Sequence, residues 1–527
     1  MQTDPTAIFE EYNKAKKYKE SLGEKGLYEQ TKINTRFYSG NQWYGANCGN
    51  ERPLVRHNVI KRIGDFKMSQ TAAKKNKITF FAAGAEQNRQ KSGEKKPRRE
   101  GLDFKGEVTP EEIGALCEAL GGYYRFTAES MGLEALAAKV LRQAYLSGTG
   151  VLYTYFDGDA DTGLTLYGNK IKGDIACEVL SVCDVYFADG EQTDTESQPY
   201  IILASEKGKE AVLREAQAFG SALTEENIKA DEDGKVTVLT KLFKVYSKDG
   251  VSVHCVKVTE NGVLREEYDT RLHRYPLAVF RFDEDDGCAY GESEVTYLIP
   301  NQIAINRMIT ASVWSNISLG MPMMVVNGDT VSGDISNDPG QIIRIYGTNE
   351  DVAGAIRYVA PPGAAQTLSD SVESLINNTL TQSGANPSAL GDERAQNAAA
   401  IERLQNAATM PLNVLKWRYR EFLRQNAGIW LDFWMNLYGS RGIRTEDENG
   451  VWYFPLDPKR YKDISICAAV NEESGEKFEA AEKISVLSNL FDKGVITARQ
   501  YLSRLPEALL PEKGALISGL KENENEA

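Results

Sequence analysis

Asp283-Glu284-Asp285-Asp286 places four carboxylates in a row, enough charge to attract a divalent ion. Consecutive side chains diverge, so the four cannot all face one ion, and a solvated acidic turn is the expectation. Asp157-Gly-Asp-Ala-Asp-Thr-Gly163 resembles a calcium loop only superficially. Its glycine falls at the seventh place instead of the sixth, and Gly168 stands where the bidentate glutamate belongs, so a plain hairpin turn is expected. His57, His254 and His273 lack zinc-type spacing and read as structural. The sequence carries no G-x-x-x-x-G-K-[ST] phosphate cradle, no G-x-G-x-x-G turn and no G-x-S-x-G elbow. The expectation is therefore no catalytic residue, no metal ligand and no cofactor. The alternative is a cytoplasmic nucleic-acid-processing enzyme with dispersed carboxylates, for which Asp283 and Asp286 would be the residues to change.

The stretch that organises the chain runs from Gly363 to Tyr438. Leu368, Val372, Leu375, Ile376, Thr379 and Leu380 recur at spacings of three and four, which predicts a short amphipathic helix. Ser383 to Asp392 is rich in Gly, Pro and Asn and reads as a loop. A long helix follows, with Ile401, Leu404, Ala408, Leu412, Leu415, Tyr419, Phe422, Trp430, Phe433 and Leu437 along it. Pro411 falls inside that helix and should kink it near 407–411. A polar loop held between two rods is a contact device.

The surrounding chain sets the frame. At 527 residues two to four domains are expected. A net charge of −14 argues against a protein that coats nucleic acid by neutralising phosphates. Seven cysteines without a C-x-x-C pair fit free thiols in a reducing compartment. No signal core and no membrane-spanning run is seen, so an intracellular, soluble product without membrane partners is expected. A charged helical stretch over 6–38 precedes a turn at Ser39–Trp43, and a helix is expected from Asn58 to Ala73. Residues 77–82 read as a strand, and the basic segment 86–100 as a solvated loop or a partner contact. Helices at 109–120 and 132–147 lead to strands at 151–156, 164–167, 179–182, 185–188 and 200–204. A helix at 207–230 and strands at 235–247, 251–259 and 277–282 complete an α+β body. Ser293 is a good N-cap for a helix to about Leu319, burying Leu298, Ile305, Met308, Ile309, Val313 and Ile317. Strands at 321–326, 341–346 and 356–359 form a small β-rich insert. Strands near 452–454 and 464–470, then helical residues and a polar tail, end the chain.

Four segments carry a family resemblance in their order along residues 36 to 440. They are Arg36-Phe-Tyr-Ser-Gly-Asn-Gln-Trp43 with Arg52-Pro53 and Asn58-Val-Ile-Lys; Val179-Leu-Ser-Val-Cys-Asp-Val-Tyr-Phe-Ala-Asp189; Tyr290-Gly-Glu-Ser-Glu-Val-Thr-Tyr-Leu-Ile-Pro-Asn-Gln-Ile-Ala-Ile-Asn-Arg307; and Gly384-Ala-Asn-Pro-Ser-Ala-Leu-Gly391. In this order they resemble a tailed-bacteriophage portal protein, the head-to-tail connector ring. The resemblance implies an α+β, portal-like protomer with an α/β wing, a two-helix stem, a small β-rich clip, a long wing helix and a helical crown. On that pattern 1–292 is the N-terminal wing, 293–319 the first stem helix, 320–362 the clip and 363–382 the second stem helix. Residues 383–397 are the tunnel loop, 398–470 the long wing helix with return strands, and 471–527 the crown. The C-terminal region is short, so a long inward barrel is not expected.

The same resemblance implies a homo-oligomer of about twelve copies at one capsid vertex of a virion, assembled in the bacterial cytoplasm. It implies double-stranded DNA passing through the channel in packaging and ejection. It further implies the large terminase subunit, a head-completion or adaptor protein, the major capsid protein and a scaffold protein as partners. The implied channel residues are Asp370 and Glu373 on the stem and Asn386, Ser388, Asp392, Glu393, Arg394 and Gln396 in the tunnel loop. Met321, Met323, Arg344, Tyr346 and Arg357 are the implied clip docking residues. A neutral-to-acidic lining would let DNA slide, where a basic one would hold it by counterion release. A head-to-tail adaptor without DNA contact is the remaining alternative, although adaptors are usually much smaller.

Overall fold

The first helix, α1 (Pro5–Ser21), starts where Asp4 accepts a hydrogen bond from the Thr6 amide at 3.0 Å, with Pro5 pre-set at the first helical position. The chain then breaks, and α2 (Gly26–Tyr38) begins at a glycine with φ +75 whose Cβ would lie 2.6 Å from the Glu20 carbonyl. The single helical stretch expected over 6–38 is thus two helices. The computed structural model describes residues 4–44, 54–73, 76–83, 108–166, 169–248, 250–320, 323–326, 331–332, 344–348, 356–359, 365–385, 410–447, 450–472, 487–491, 493, 497 and 501–502. It divides into two units: Met1–Gln70 with Gly132–Tyr419, and Thr71–Met131 with Arg420–Ala527.

The first unit is α+β. Beside α1 and α2 it holds α3 (Val59–Ala72, to Gln70), and, past the second unit's insertion, α5 (Leu133–Ser147). Its larger sheet is antiparallel in sequence order: β4 (Val185–Phe187), β5 (Tyr200–Gly208), β6 (Lys235–Ser247), β7 (Gly250–Thr259) and β8 (Gly262–Leu272). Strand alternation sends Leu239, Val256 and Val258 to one face, where Ile8 and Ala15 of α1 pack, and Val236 and Val238 to the cluster with Val212 and Ala216 of α6 (Lys209–Phe219). Each of the fully buried Val and Leu side chains among them contributes about 1.5–3 kcal/mol. The smaller sheet has the order β3-β2-β9, from β2 (Thr149–Leu166), β3 (Asn169–Leu180) and β9 (Leu277–Arg281).

Several expectations are corrected here. Asp157 to Gly163 is not a turn but part of β2, paired with β3 through register shifts at Asp157/Asp161 and Asp161/Thr165. The helix expected over 207–230 stops at Phe219, because Gly220 adopts the left-handed cap at φ +66. The strand β8 was hidden by its charges: Arg265, Glu266, Glu267, Asp269 and Arg271 mark an edge strand, where charge discourages further pairing.

The second unit contains β1 (Asn76–Ala82), α4 (Pro110–Met131), β14 (Arg441–Asp447), β15 (Gly450–Leu456) and β16 (Ile466–Glu472). It also takes the C-terminal part of α9 (Asn413–Asn436), from Arg420. β1 pairs antiparallel with β16 from Asn76↔Glu472 to Ala82↔Ile466, joining segments nearly four hundred residues apart. Trp430 and Trp434 are fully buried, with Tyr124 and Tyr123 rings at 4.8 and 4.9 Å. Glu112, also buried, accepts from Arg460 Nε at 2.7 Å and Nη2 at 2.8 Å and from the Tyr461 hydroxyl at 2.7 Å. The forked guanidinium pulls the Glu112 carboxyl below its usual range, against its own burial.

Candidate functional site

The candidate site is a helix pair carrying a small β module, all within the first unit. Its first helix is α7 (Glu294–Gly320). Ser293 caps it as expected: its Oγ accepts from the Val295 amide at 3.2 Å and donates to the Tyr145 carbonyl at 2.6 Å. Just before the cap two glycines let backbones meet. A Cβ on Gly148 (φ +84) would stand 1.9 Å from the Gly291 carbonyl, and one on Gly291 would stand 2.6 Å from the Gly148 carbonyl. The Gly291 amide donates to Thr149 Oγ1 at 2.8 Å.

Just over two turns into α7, two buried amides face the start of α3. Gln302 Oε1 accepts from the Val59 and Ile60 amides at 2.9 and 3.3 Å, and its Nε2 donates to the His57 carbonyl at 2.6 Å. Asn306 Oδ1 accepts from the His57 amide at 3.0 Å, and its Nδ2 donates to Gln42 Oε1 at 2.6 Å. The amides at a helix start have no partner inside the helix, so Gln302 caps α3 from another helix. Asn58 Nδ2 bonds to the Tyr38 carbonyl at 2.8 Å, and the Phe187 amide donates to the Tyr290 hydroxyl at 3.2 Å. Three of the four segments that carry the family resemblance therefore meet around the base of α7. Gln302 and Asn306 were not singled out from sequence; two amides four residues apart on an otherwise apolar helix face was the available signal.

A buried lysine adds a second fixture. Lys19 Nζ donates to the carbonyls of Val182 at 2.6 Å and Cys183 at 3.1 Å, and lies 3.6 Å from the Tyr186 ring centre and 5.3 Å from that of Tyr290. Burial lowers its pKa to about 7, opposed by Cys183 and Asp184.

Beyond the anchored base, α7 departs from the expected burial. Leu298 and Ile305 are buried, Met308, Ile309 and Val313 are half-buried, and Ile317 is exposed. The insert contributes β10 (Met323–Val326), β11 (Val331–Ser332), β12 (Arg344–Ile345) and β13 (Ile356–Val359). β10 pairs antiparallel with β13, and β11 with β12. Met323 lies opposite Val359, and Arg357 opposite Val325, in one ladder; Arg344 lies opposite Ser332 in the other, and Tyr346 is exposed just beyond it. Met321 lies outside the described residues.

The second helix, α8 (Ala365–Gln382), packs on α7, with Asn301 Nδ2 3.4 Å from Thr379 Oγ1 and with Val372, Thr379 and Leu380 buried. Asp370 and Glu373 are exposed, and no Lys or Arg occurs from Ala365 to Ala385. Gly384 (φ +77) ends the helix, and the Ala385 amide returns to the Leu380 carbonyl at 2.9 Å. A Cβ on Gly384 would lie 3.5 Å from Pro411 Cβ, so the chain leaves α8 and re-enters before α9 at one place. Between them, Asn386, Ser388, Asp392, Glu393, Arg394 and Gln396 lie outside the described residues. Pro411 occupies a 3₁₀ turn, Met410–Leu412, directly before α9; it is not in the interior of an α-helix, and its missing amide suits a helix entry.

The acidic run is a clasp in this structure. Asp283 and Glu292 exchange a backbone bridge, and Arg418 reaches Asp283 Oδ1 at 3.1 Å and Glu284 Oε2 at 3.7 Å. Among the described residues no group of three or more His, Cys, Asp or Glu is placed to hold a metal ion, and none of the six cysteines forms a disulfide. Among them, too, no helix is long and apolar enough to cross a membrane.

Caps, close glycine contacts and buried amides define a structural class of protein, an α+β body that holds a helix–β module–helix unit by its base. The phage P22-like portal protein family model matches residues 200–472, from the first residue of β5 to the last of β16, slightly more than half of the chain. The chain belongs to that family, and is a capsid component of a tailed phage. No curated protein matches it.

Proposed function

We propose that this chain is the protomer of a portal ring of about twelve copies at one capsid vertex, a channel for DNA in packaging and ejection. Family membership implies the multimeric ring. The division into wing (1–292), stem helices (293–319 and 363–382), clip (320–362), tunnel loop (383–397), long wing helix with return strands (398–470) and crown (471–527) belongs to this reading. So does docking of the terminase motor and a head-completion protein at the clip, through Met321, Met323, Arg344, Tyr346 and Arg357, with the major capsid and scaffold proteins as further partners. The role is structural and not enzymatic.

The observation that carries the channel reading is the face of α8. Asp370 and Glu373 are exposed on a helix without a basic residue. Duplex DNA carries one charge per ~1.7 Å of axis, and a lining without cations releases few counterions, so DNA can pass without being held. Replacing both residues, Asp370→Lys and Glu373→Lys, is expected to leave assembly intact and to lower the amount of DNA packaged, more at low salt than at high salt. Packaging at the wild-type level in low salt would remove α8 from the channel wall.

A further inference from the structure

The hairpin of β2 and β3 runs past the sheet that supports it. β9 pairs with β2 only from Thr149 to Tyr153, whereas β2 and β3 stay paired out to Leu166↔Asn169. Across the same stretch β3 takes only five residue steps, from Asp174 to Asn169, so at ~3.3 Å per residue the paired ribbon reaches about 17 Å, and the extra β2 residues are taken up in two register shifts. A two-stranded ribbon is marginal in water on its own and gains stability from a third element. The ribbon from Asp157 to Asp174 is acidic, with four Asp against two Lys. Asp157 and Asp159 are exposed, and Tyr155 and Phe156, one on each face at its root, are 38% and 37% exposed.

The same unit carries a groove of opposite charge. It has a volume of about 280 Å³, lies between α2 and α7, and is lined by Lys25, Arg36, Trp43, Tyr44 and Arg307 among others, with no carboxylate in its lining. The Arg36 guanidinium stacks 4.1 Å from the Tyr44 ring centre, and Tyr44 is 68% exposed. Three cations beside two aromatic rings, in a chain of net charge −14, form a receptor for acidic side chains. The volume takes two or three side chains, not a whole ribbon.

α5 packs against both α2, which lines the groove, and β2, which continues into the ribbon. It meets α2 through Asn34 Nδ2 to the Leu146 carbonyl at 2.8 Å and Tyr38 against Tyr145 at 6.0 Å. It also meets β2, where Gly150 would place a Cβ 2.3 Å from the Val140 carbonyl. A ring built from one kind of chain needs two different patches that fit each other. We propose that the acidic ribbon formed by Asp157–Leu166 and Asn169–Asp174 of each copy docks, through Asp157 and Asp159, in the Lys25–Arg36–Arg307 groove of the next copy. Asp157 and Asp159 meet the cations there, and the exposed aromatics at the ribbon root cover the rim. This occupant is a second copy of the chain, and the proposal rests on the ring reading above.

Charge reversal tests it on the full chain. One variant carries Asp157→Lys and Asp159→Lys, the other Arg36→Glu and Arg307→Glu, and native mass is followed against concentration. Each variant alone is expected to need about tenfold more protein for half-assembly. An equimolar mixture is expected to assemble like the natural chain, because alternating copies make every junction complementary. Both changes in one chain should also restore assembly, which a misfolded variant could not do. Assembly of either single variant at the natural concentration, or a mixture as weak as its components, would overturn the pairing while leaving the ring intact. A natural chain that stays monomeric would refute the ring, and the pairing with it.

Discussion

At the scale of single residues, Lys19 and Gln302 show how a few polar side chains hold an apolar interior in register. Lys19 is buried against two carbonyls and aromatic faces, and its pKa is lowered to about 7. Below that value the folded and unfolded chains both carry the proton. Between it and the ordinary lysine value of 10.5 the unfolded chain binds more protons, so this residue makes stability rise with pH. The natural chain is expected to gain about 1–2 kcal/mol from about pH 6.5 to about pH 8.5 relative to Lys19→Met. Thermal melts of both proteins at the two pH values read the difference, and parallel curves would contradict it. Gln302→Ala removes four hydrogen bonds and takes the side-chain acceptor away from two buried amides of α3. A loss of about 2–4 kcal/mol in urea unfolding is expected. Neither role is visible in sequence, because Lys19 reads as a member of a charged helix face and only its distant partners Val182 and Cys183 reveal the burial.

At the scale of elements, local rules were legible where the chemistry is local. Ser293 marks the start of α7, and Asn58 to Ala73 reads as a helix close to the observed Val59–Ala72. Misreadings arose where tertiary pairing overrode composition. Asp157–Gly163 has turn chemistry, yet β3 holds it extended as part of β2, and β8 has the charge density of a loop because it is an edge. The β1–β16 pair could not be foreseen, since its strands lie at opposite ends of the chain. The contact of Gly148 with Gly291 belongs to this scale too, because it fixes how α7 leaves the body. Gly291→Ala would press a methyl against two carbonyls, those of Gly148 and Asp283, at 2.6 and 2.7 Å. A destabilisation of about 1–3 kcal/mol is expected. Amides at the start of α7 should then exchange faster, with those of the second unit unchanged; uniform protection would show that the close contact positions nothing.

For the whole molecule, the order of segments said more than any motif. Arg36–Trp43, Val179–Asp189 and Tyr290–Arg307 have no catalytic signature, and the structure gives them a physical reason: they converge on the base of the helix that enters the β module. The split into two interleaved units was not legible, because the second unit is built from two segments separated by 288 residues of the first, Gly132–Tyr419. Asn386, Ser388, Asp392, Glu393, Arg394 and Gln396, proposed for the channel wall, lie outside the described residues, so the proposed channel rests on α8 and on family membership. A portal protomer must close into a ring with an open centre. A projection image of the purified assembly along its symmetry axis tests that most directly. The expected result is a ring of about twelve copies, roughly 700 kDa from a 58.4 kDa chain, around a central hole wide enough for duplex DNA. Particles of one or two copies, or a ring with a filled centre, would contradict it.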